Sequence, residues 1–418
     1  MYRQYTLDNG IPVVFDLMYD VHSAAVGVWV KIGSRDEIED KNGISHFIEH
    51  MFFKGTKTRT AQDIAIEIDS IGGELNAFTS KEETTFYTRV LDEHLTTAID
   101  LLADIFLNSV IDVQELKKEK RIIIEEIKMV EDTPDEYVHD LLYEVAWGRS
   151  ALGRPVLGRK ETVTSFTRDD LVDHIKNFYT SRDIVIAAAG NINPDSLFLA
   201  LNRSFGKIPY INNKREYQSP QFSKGILMKK KKLKEVHICI GVEGIRYDND
   251  DRYAVMLLNA MFGGSVSSRL FQEIRENRGL VYTISSYPVF YRDTGLLITY
   301  AGTGKSKAGE VIRLIIQEMR KLKEERVKDA ELRRAKEHIK GGLLFALEST
   351  SHRMVQIARN EICFGRQITT EEIVQNIEDV TTEKIQEIAE SIFKNESIAI
   401  TVCGAINHLD LKEEDIKL

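Results

Sequence analysis

Cysteine is scarce in this chain. Among 418 residues it occurs only at Cys239, Cys363 and Cys403, an odd number with wide spacing and no C-x-x-C pair. That argues against a disulfide framework and fits buried thiols in a reducing cytoplasm. Long apolar runs are missing too. No stretch approaches the ~20 residues that a membrane helix needs, so no membrane partner is expected. Positive charge is not in surplus: the net charge of −9 argues against nucleic acid or an anionic membrane as the main partner. The run KKKKLK at 229–234 is the local exception, and its passage into EVHICIGV reads as an exposed strand edge. The opening MYRQYTLDNGIPVVF holds neither a hydrophobic leader nor an Arg/Ser-rich presequence. It reads as strand, Asn9-Gly10 turn and strand, and a cytoplasmic protein is expected.

What is present describes a soluble globular protein, with 43% hydrophobic and 29% charged residues. A chain of 418 residues is too long for one ordinary core and suggests two or three domains. Residues 43–56, GISHFIEHMFFKGT, carry His46, Glu49 and His50. On a helix these three fall in one sector, while Ile44, Phe47, Ile48, Met51 and Phe52 form the opposite, core-facing stripe. Imidazoles at i and i+4 can reach one metal ion. Glu49 need not be a ligand, and beside such an ion it is placed to take a proton from water. The order H-x-x-E-H reverses the H-E-x-x-H zinc-protease signature. The competing reading is the polar face of a surface helix.

An internal duplication weighs on that choice. The polar, aperiodic stretch KIPYINNKREYQSPQFSKG, about 207–225, carries Pro209 and Pro220 and reads as a linker. Before it, AAVGVWVKIGSRDE leads into the trio helix; after it, VHICIGVEGIRYDN leads into DRYAVMLLNAMFGGS. Aligning Met51-Phe52 with Met261-Phe262 places Met256, Asn259 and Ala260 opposite His46, Glu49 and His50. The second copy builds the same helix without histidines, so the fold does not require them.

A zinc site needs a third protein ligand and an open position for water. The segment 112–132, DVQELKKEKRIIIEEIKMVED, reads as a helix capped by Asp112, with an apolar stripe of Leu116, Ile123, Ile127 and Val130. Glu119 and Glu126 fall within that stripe, and Glu125 points away. A carboxylate facing a core is costly unless compensated, and a neighbouring cation would compensate it. Snorkelling to solvent at the helix edge is the alternative. In the second half the matching residues are Ala335 and Gly342.

With these residues in hand, the chain resembles the pitrilysin/insulinase family of inverzincin metallopeptidases over essentially its whole length. It looks most like short bacterial members related to the β subunit of the mitochondrial processing peptidase. The resemblance also rests on GGELNAFTSKEETTFYTRVL and GGSVSSRLFQEIRENRGLVYTI. It implies one zinc ion per chain held by His46, His50 and Glu126, with Glu49 as general base and Glu119 supporting the site from behind. It implies that Asn76, Ala77, Phe78 and Thr79 offer a strand edge to an extended peptide substrate. Arg275 and Tyr282 are implied to act on the substrate and the developing oxyanion. The glycine-rich loop of the non-catalytic α subunit is not evident. Longer relatives place four such domains around a chamber, so a chain with two implies a closed homodimer. A non-catalytic partner subunit on the same fold is the alternative.

TYAGTGKSKAGE, 299–310, ends a strand in Gly-Lys-Ser, but a phosphate loop needs glycine where Thr299 stands. A plain strand-to-helix connection is expected. The expected fold is α+β: two homologous α/β sandwich domains with mostly antiparallel sheets layered with helices. Residues 1–210 would form the metal-binding domain and 225–418 its metal-free counterpart.

Overall fold

Alternating apolar residues at the start of the chain pair β1 (Tyr2–Thr6) with β2 (Pro12–Leu17). The turn between them needs Gly10 in the left-handed region, φ 89°. The Asn9 amide donates to the Phe205 and Ile208 carbonyls and ties the turn down. The computed structural model describes residues 1–148, 150–212 and 219–418; of the expected linker, 213–218 lie outside the described residues.

The chain forms two compact units. Unit 1 comprises Met1–Lys128, Arg154–Tyr217 and Phe345–Gln367; unit 2 comprises Met129–Gly153, Gln218–Leu344 and Ile368–Leu418. In unit 1, β3 (Ser23–Val30), β4 (Glu74–Thr79), β5 (Thr84–Leu91) and β6 (Ile184–Gly190) join β1 and β2 in the order β1-β2-β6-β3-β5-β4. In unit 2, β7 (Gly225–Lys230), β8 (Glu235–Glu243), β9 (Val281–Phe290), β10 (Gly295–Gly304) and β11 (Ile398–Gly404) follow the order β7-β11-β8-β10-β9. Each sheet is antiparallel except at one pair, β2–β6 and β11–β7, which occupies the same place in both. The two sheets thus share one topology, with β1 an addition at the edge of the first.

The units do not coincide with the contiguous halves 1–210 and 225–418. Helix Thr350–Phe364, late in the sequence, belongs to unit 1, where Met354, Ile357 and Ala358 pack on Val14, Ala25, Trp29, Val185 and Ala187. Helix Pro134–Trp147, from the first half, belongs to unit 2, where Val138, Leu142 and Ala146 pack on Cys239, Ile298, Ala399 and Cys403. The reason is burial. Each sheet is apolar on both faces, and the helices on its other face cover only one.

Lys229 and Lys230 end the exposed edge strand β7, a placement that discourages edge-to-edge pairing. Cys239 and Cys403 are buried, whereas Cys363 is half-buried. Residues 299–304 complete β10 and lead through a short turn into helix Ala308–Glu324, a strand-to-helix connection. Among the described residues no helix is long and apolar enough to cross a membrane.

Because helix Thr350–Phe364 closes the first sheet, Met354→Ala is expected to destabilise unit 1 by about 2–5 kcal/mol, the usual cost of truncating a buried methionine. Hydrogen exchange should show β2, β3 and β6 losing protection although the substitution lies far along the chain. Protection unchanged in those strands would contradict the assignment.

Candidate metal centre

The first functional helix spans Ile44–Phe52. It can start where it does because Gly43 is glycine: its φ is 96°, and a Cβ there would lie 2.6 Å from the Leu157 carbonyl oxygen. Ile44, Phe47, Ile48, Met51 and Phe52 are buried beneath the helix, and the Phe52 ring stacks on Phe86 at 4.9 Å. That packing fixes the helix's rotation and turns His46, Glu49 and His50 to one side. The second helix, Val113–Asp132, is capped by the Asp112 carboxylate, which accepts from the Gln114 and Glu115 amides at 2.8 and 3.0 Å. Leu116 and Ile123 anchor it in the same core, and Ile127 packs against that core. The phase that buries them also directs Glu119 and Glu126 toward the histidines, while Glu125 is exposed.

His46 Nε2 lies 3.8 Å from Glu126 Oε1, and His50 Nε2 lies 3.5 Å from Glu126 Oε2. One ligand atom from each of His46, His50 and Glu126 falls within 4.8 Å of the others. Donors about 2.0–2.2 Å from a shared tetrahedral centre sit roughly 3.3–3.6 Å apart, so the cluster needs little adjustment to hold a zinc-sized ion. Its donors, two imidazoles and a carboxylate, are those of an open catalytic zinc site. Glu126 Oε2 is moreover buried without a hydrogen-bond partner, and an unpaired buried carboxylate oxygen is what a cation would satisfy.

Glu119, only 2% exposed, stands behind His50. His50 Nδ1–H donates to its Oε2 at 3.0 Å, and the Lys54 ammonium donates to its Oε1 at 3.0 Å. Burial alone would raise the Glu119 carboxyl, but these two bonds hold it below the usual carboxylate range. The His50 bond fixes the tautomer that leaves Nε2 free for a metal. Burial, with the neighbouring His50, pushes His46 down to about 3, so its imidazole is neutral and able to ligate. Burial raises Glu126, partly offset by His50.

Glu49 belongs to the same face but accepts from elsewhere: the Thr79 hydroxyl donates to its Oε2 at 2.5 Å. Burial raises its carboxyl and the Thr79 bond opposes that. Thr79 ends β4, an edge strand that among the described residues pairs only with β5. Asn76, Ala77, Phe78 and Thr79 therefore form an open strand edge running up to Glu49. Arg275 and Tyr282 belong to unit 2. Arg275 is exposed, its guanidinium 4.7 Å over the Phe271 ring, and Tyr282 lies on β9 with 67% of its surface exposed.

Unit 1 thus assembles His46, Glu49, His50, Glu119, Glu126 and Thr79. Two contributions went unread in the sequence: the bond of Thr79, expected only as part of the substrate strand, to Glu49, and the side chain of Lys54. The hydroxyl of Thr79 reaches Glu49 through strand pairing, which no local pattern reports. Lys54, four residues beyond His50, continues the helical face and was legible by that spacing. In unit 2 the corresponding Asn259 accepts from Ser286 of β9 at 2.6 Å, so the helix-to-strand bond persists there without the ligands.

Comparison with known proteins identifies the family. Residues 16–160 match the family described as insulinase (peptidase family M16), and residues 165–339 match the peptidase M16 inactive domain. The chain is 42% identical over 393 residues to the uncharacterized zinc protease YmxG of Bacillus subtilis, covering 94% of this chain and 96% of that one. It is 36% identical over 407 residues to an uncharacterized zinc protease of Rickettsia felis, covering 97% of both. Among solved structures, a peptidase M16 inactive domain from Pseudomonas fluorescens superposes with a TM-score of 0.91 at 16% identity, covering 98% of this chain and 99% of that one. A protease from Helicobacter pylori superposes at 0.89 and 21% identity, covering 96% and 99% respectively. These two likenesses concern the fold.

If Glu119 orients His50, Glu119→Gln should weaken zinc binding by about 10–100-fold, whereas Glu126→Gln should abolish stoichiometric zinc. Metal analysis after dialysis and chelator competition measure both. Parent-like zinc content in Glu126→Gln would remove it from the ligand set.

Proposed function

Since the chain belongs to the insulinase family, peptidase family M16, we propose that it is a zinc-dependent endopeptidase acting on peptides or unfolded segments. The observation that carries this reading is the convergence of His46, His50 and Glu126, with Glu49 on the same face but bonded to Thr79. His46, His50 and Glu126 would hold one zinc per chain, which would supply a Lewis acid and ease the deprotonation of water.

The chain's own residues do the rest. Neutral His46 and the tautomer of His50 set by Glu119 present lone pairs inward. The edge of β4 at Asn76–Thr79 pairs with an extended substrate through main-chain hydrogen bonds, giving affinity with little dependence on side chains. Glu49 accepts the proton of the attacking water and returns it to the departing amine nitrogen as the peptide bond breaks. The Thr79 hydroxyl steers the Glu49 carboxylate toward that task.

Glu49→Gln should keep its zinc and lose peptide hydrolysis by about 10²–10⁴-fold or more, the usual worth of a general base. Digestion of a mixed peptide pool, with metal content measured in parallel, tests this. Cleavage at the parent rate would refute the role of Glu49, whereas a parent that cleaves no peptide would favour the non-catalytic partner subunit.

The working enzyme is a homodimer in this proposal. Unit 2 lacks the ligands yet carries the exposed Arg275 and Tyr282, and a two-fold pair of chains would let each site draw on Arg275 and Tyr282 of the other chain. An enclosed chamber of that kind admits peptides and spares folded proteins. The expected solution mass is twice the 47.7 kDa of one chain. Mixing inactive Glu49→Gln and Tyr282→Phe chains should restore activity through one complete site. A 47.7 kDa species with no rescue would refute the shared site.

A further inference from the structure

The metal-bearing helix has no side-chain cap of its own. Gly43 precedes it, and glycine has no side-chain oxygen to offer the unpaired amides of the first turn. The acceptor comes from six residues upstream. Glu37 lies in the loop between β3 and the helix, is 4% exposed, and points its carboxylate at the helix start. Its Oε2 accepts from the Gly43 amide at 2.7 Å and from Asn42 Nδ2 at 3.0 Å, and its Oε1 accepts from the Ser45 amide at 2.8 Å. Ser45 is the residue immediately before His46.

The carboxylate is itself held. The Arg154 guanidinium donates to the Glu37 carbonyl oxygen, and Lys81 donates to the Arg154 carbonyl oxygen. Asn42 Nδ2 also reaches the Pro155 carbonyl at 3.0 Å. Burial pushes the Glu37 carboxyl up to about 7, against the lowering effect of its bonds to Ser45, Gly43 and Asn42. Burying a carboxylate is costly, and a loop that only had to connect two elements would not need one. An anion at a helix N-terminus is favoured by both the free amides and the helix dipole.

We propose that Glu37 is a positioning residue of the metal centre: by clamping the Gly43 and Ser45 amides it fixes the axial and rotational setting of helix Ile44–Phe52. The proposal rests on the reading of His46, His50 and Glu126 as metal ligands. Glutamine cannot replace Glu37, because one of its two terminal atoms is a donor and would meet an amide donor. Aspartate keeps the charge but withdraws the carboxylate by roughly one carbon–carbon bond, ~1.5 Å.

The test compares full-length parent, Glu37→Gln, Glu37→Asp and, as a control, Glu39→Gln, an exposed acid of the same loop. At pH 8, hydrogen exchange of the metal-free proteins reads the first-turn amides directly, and chelator competition reads the zinc affinity. Both Glu37 variants should exchange those amides about 10-fold faster and bind zinc about 10-fold more weakly, with β3, β5 and β6 still protected. Glu39→Gln should match the parent. Should Glu37→Gln not fold, Glu37→Asp, which keeps the charge, is read by the same criteria. Zinc affinity equal to the parent's in the Glu37 variants overturns this proposal alone, as does protection lost evenly across the sheet. A parent that binds no zinc overturns the site reading and this inference with it.

Discussion

A carboxylate is expensive to bury, and the centre of unit 1 depends on how three of them are compensated. Glu119 is matched by His50 and Lys54, and its charge holds His50 in one tautomer. Glu37 is matched by the amides that begin the helix. Glu126 is the exception: one oxygen is buried without a hydrogen bond, and His46 Nε2 and His50 Nε2 lie 3.8 and 3.5 Å from its carboxylate. Two of the three are satisfied by the protein and orient what surrounds them. The third is left for a partner that the protein itself does not supply.

The second unit shows which parts of this arrangement serve the fold. It repeats the strand order and the position of the single parallel pair. It even retains the bond from edge strand to helix, as Ser286 to Asn259. What it lacks is each candidate ligand: Met256, Ala260 and Gly342 stand where unit 1 has His46, His50 and Glu126, and Ala335 stands where it has Glu119. The second unit keeps the same topology without these residues, so the fold does not require histidines or glutamates at those positions.

The exchange of helices between the two halves of the sequence has a simple cause. A sheet whose strands are apolar on both faces needs a second layer, and each unit takes its second layer from a helix distant in the chain. Each unit is therefore completed by the other half of the sequence.

Periodicity and spacing determined much of this protein before any coordinates. The i, i+3, i+4 placement of His46, Glu49 and His50 is a local property of helix geometry, and the opposing stripe of Ile44, Phe47, Ile48 and Met51 named the buried side. The phase of Glu119 and Glu126 against Leu116 and Ile123 was legible for the same reason. The repeat of the pattern without its ligands was legible too. What only the tertiary structure decided involves partners distant in sequence. Thr79 meets Glu49 because β4 pairs at the sheet edge, and Glu126 meets His50 because two helices pack on one core. Glu37 reaches the helix start because a loop folds back, and helix Thr350–Phe364 closes a sheet built from residues before 191. An apolar stripe states that a face will be buried, but hydrophobic burial is non-directional and does not name the surface that covers it.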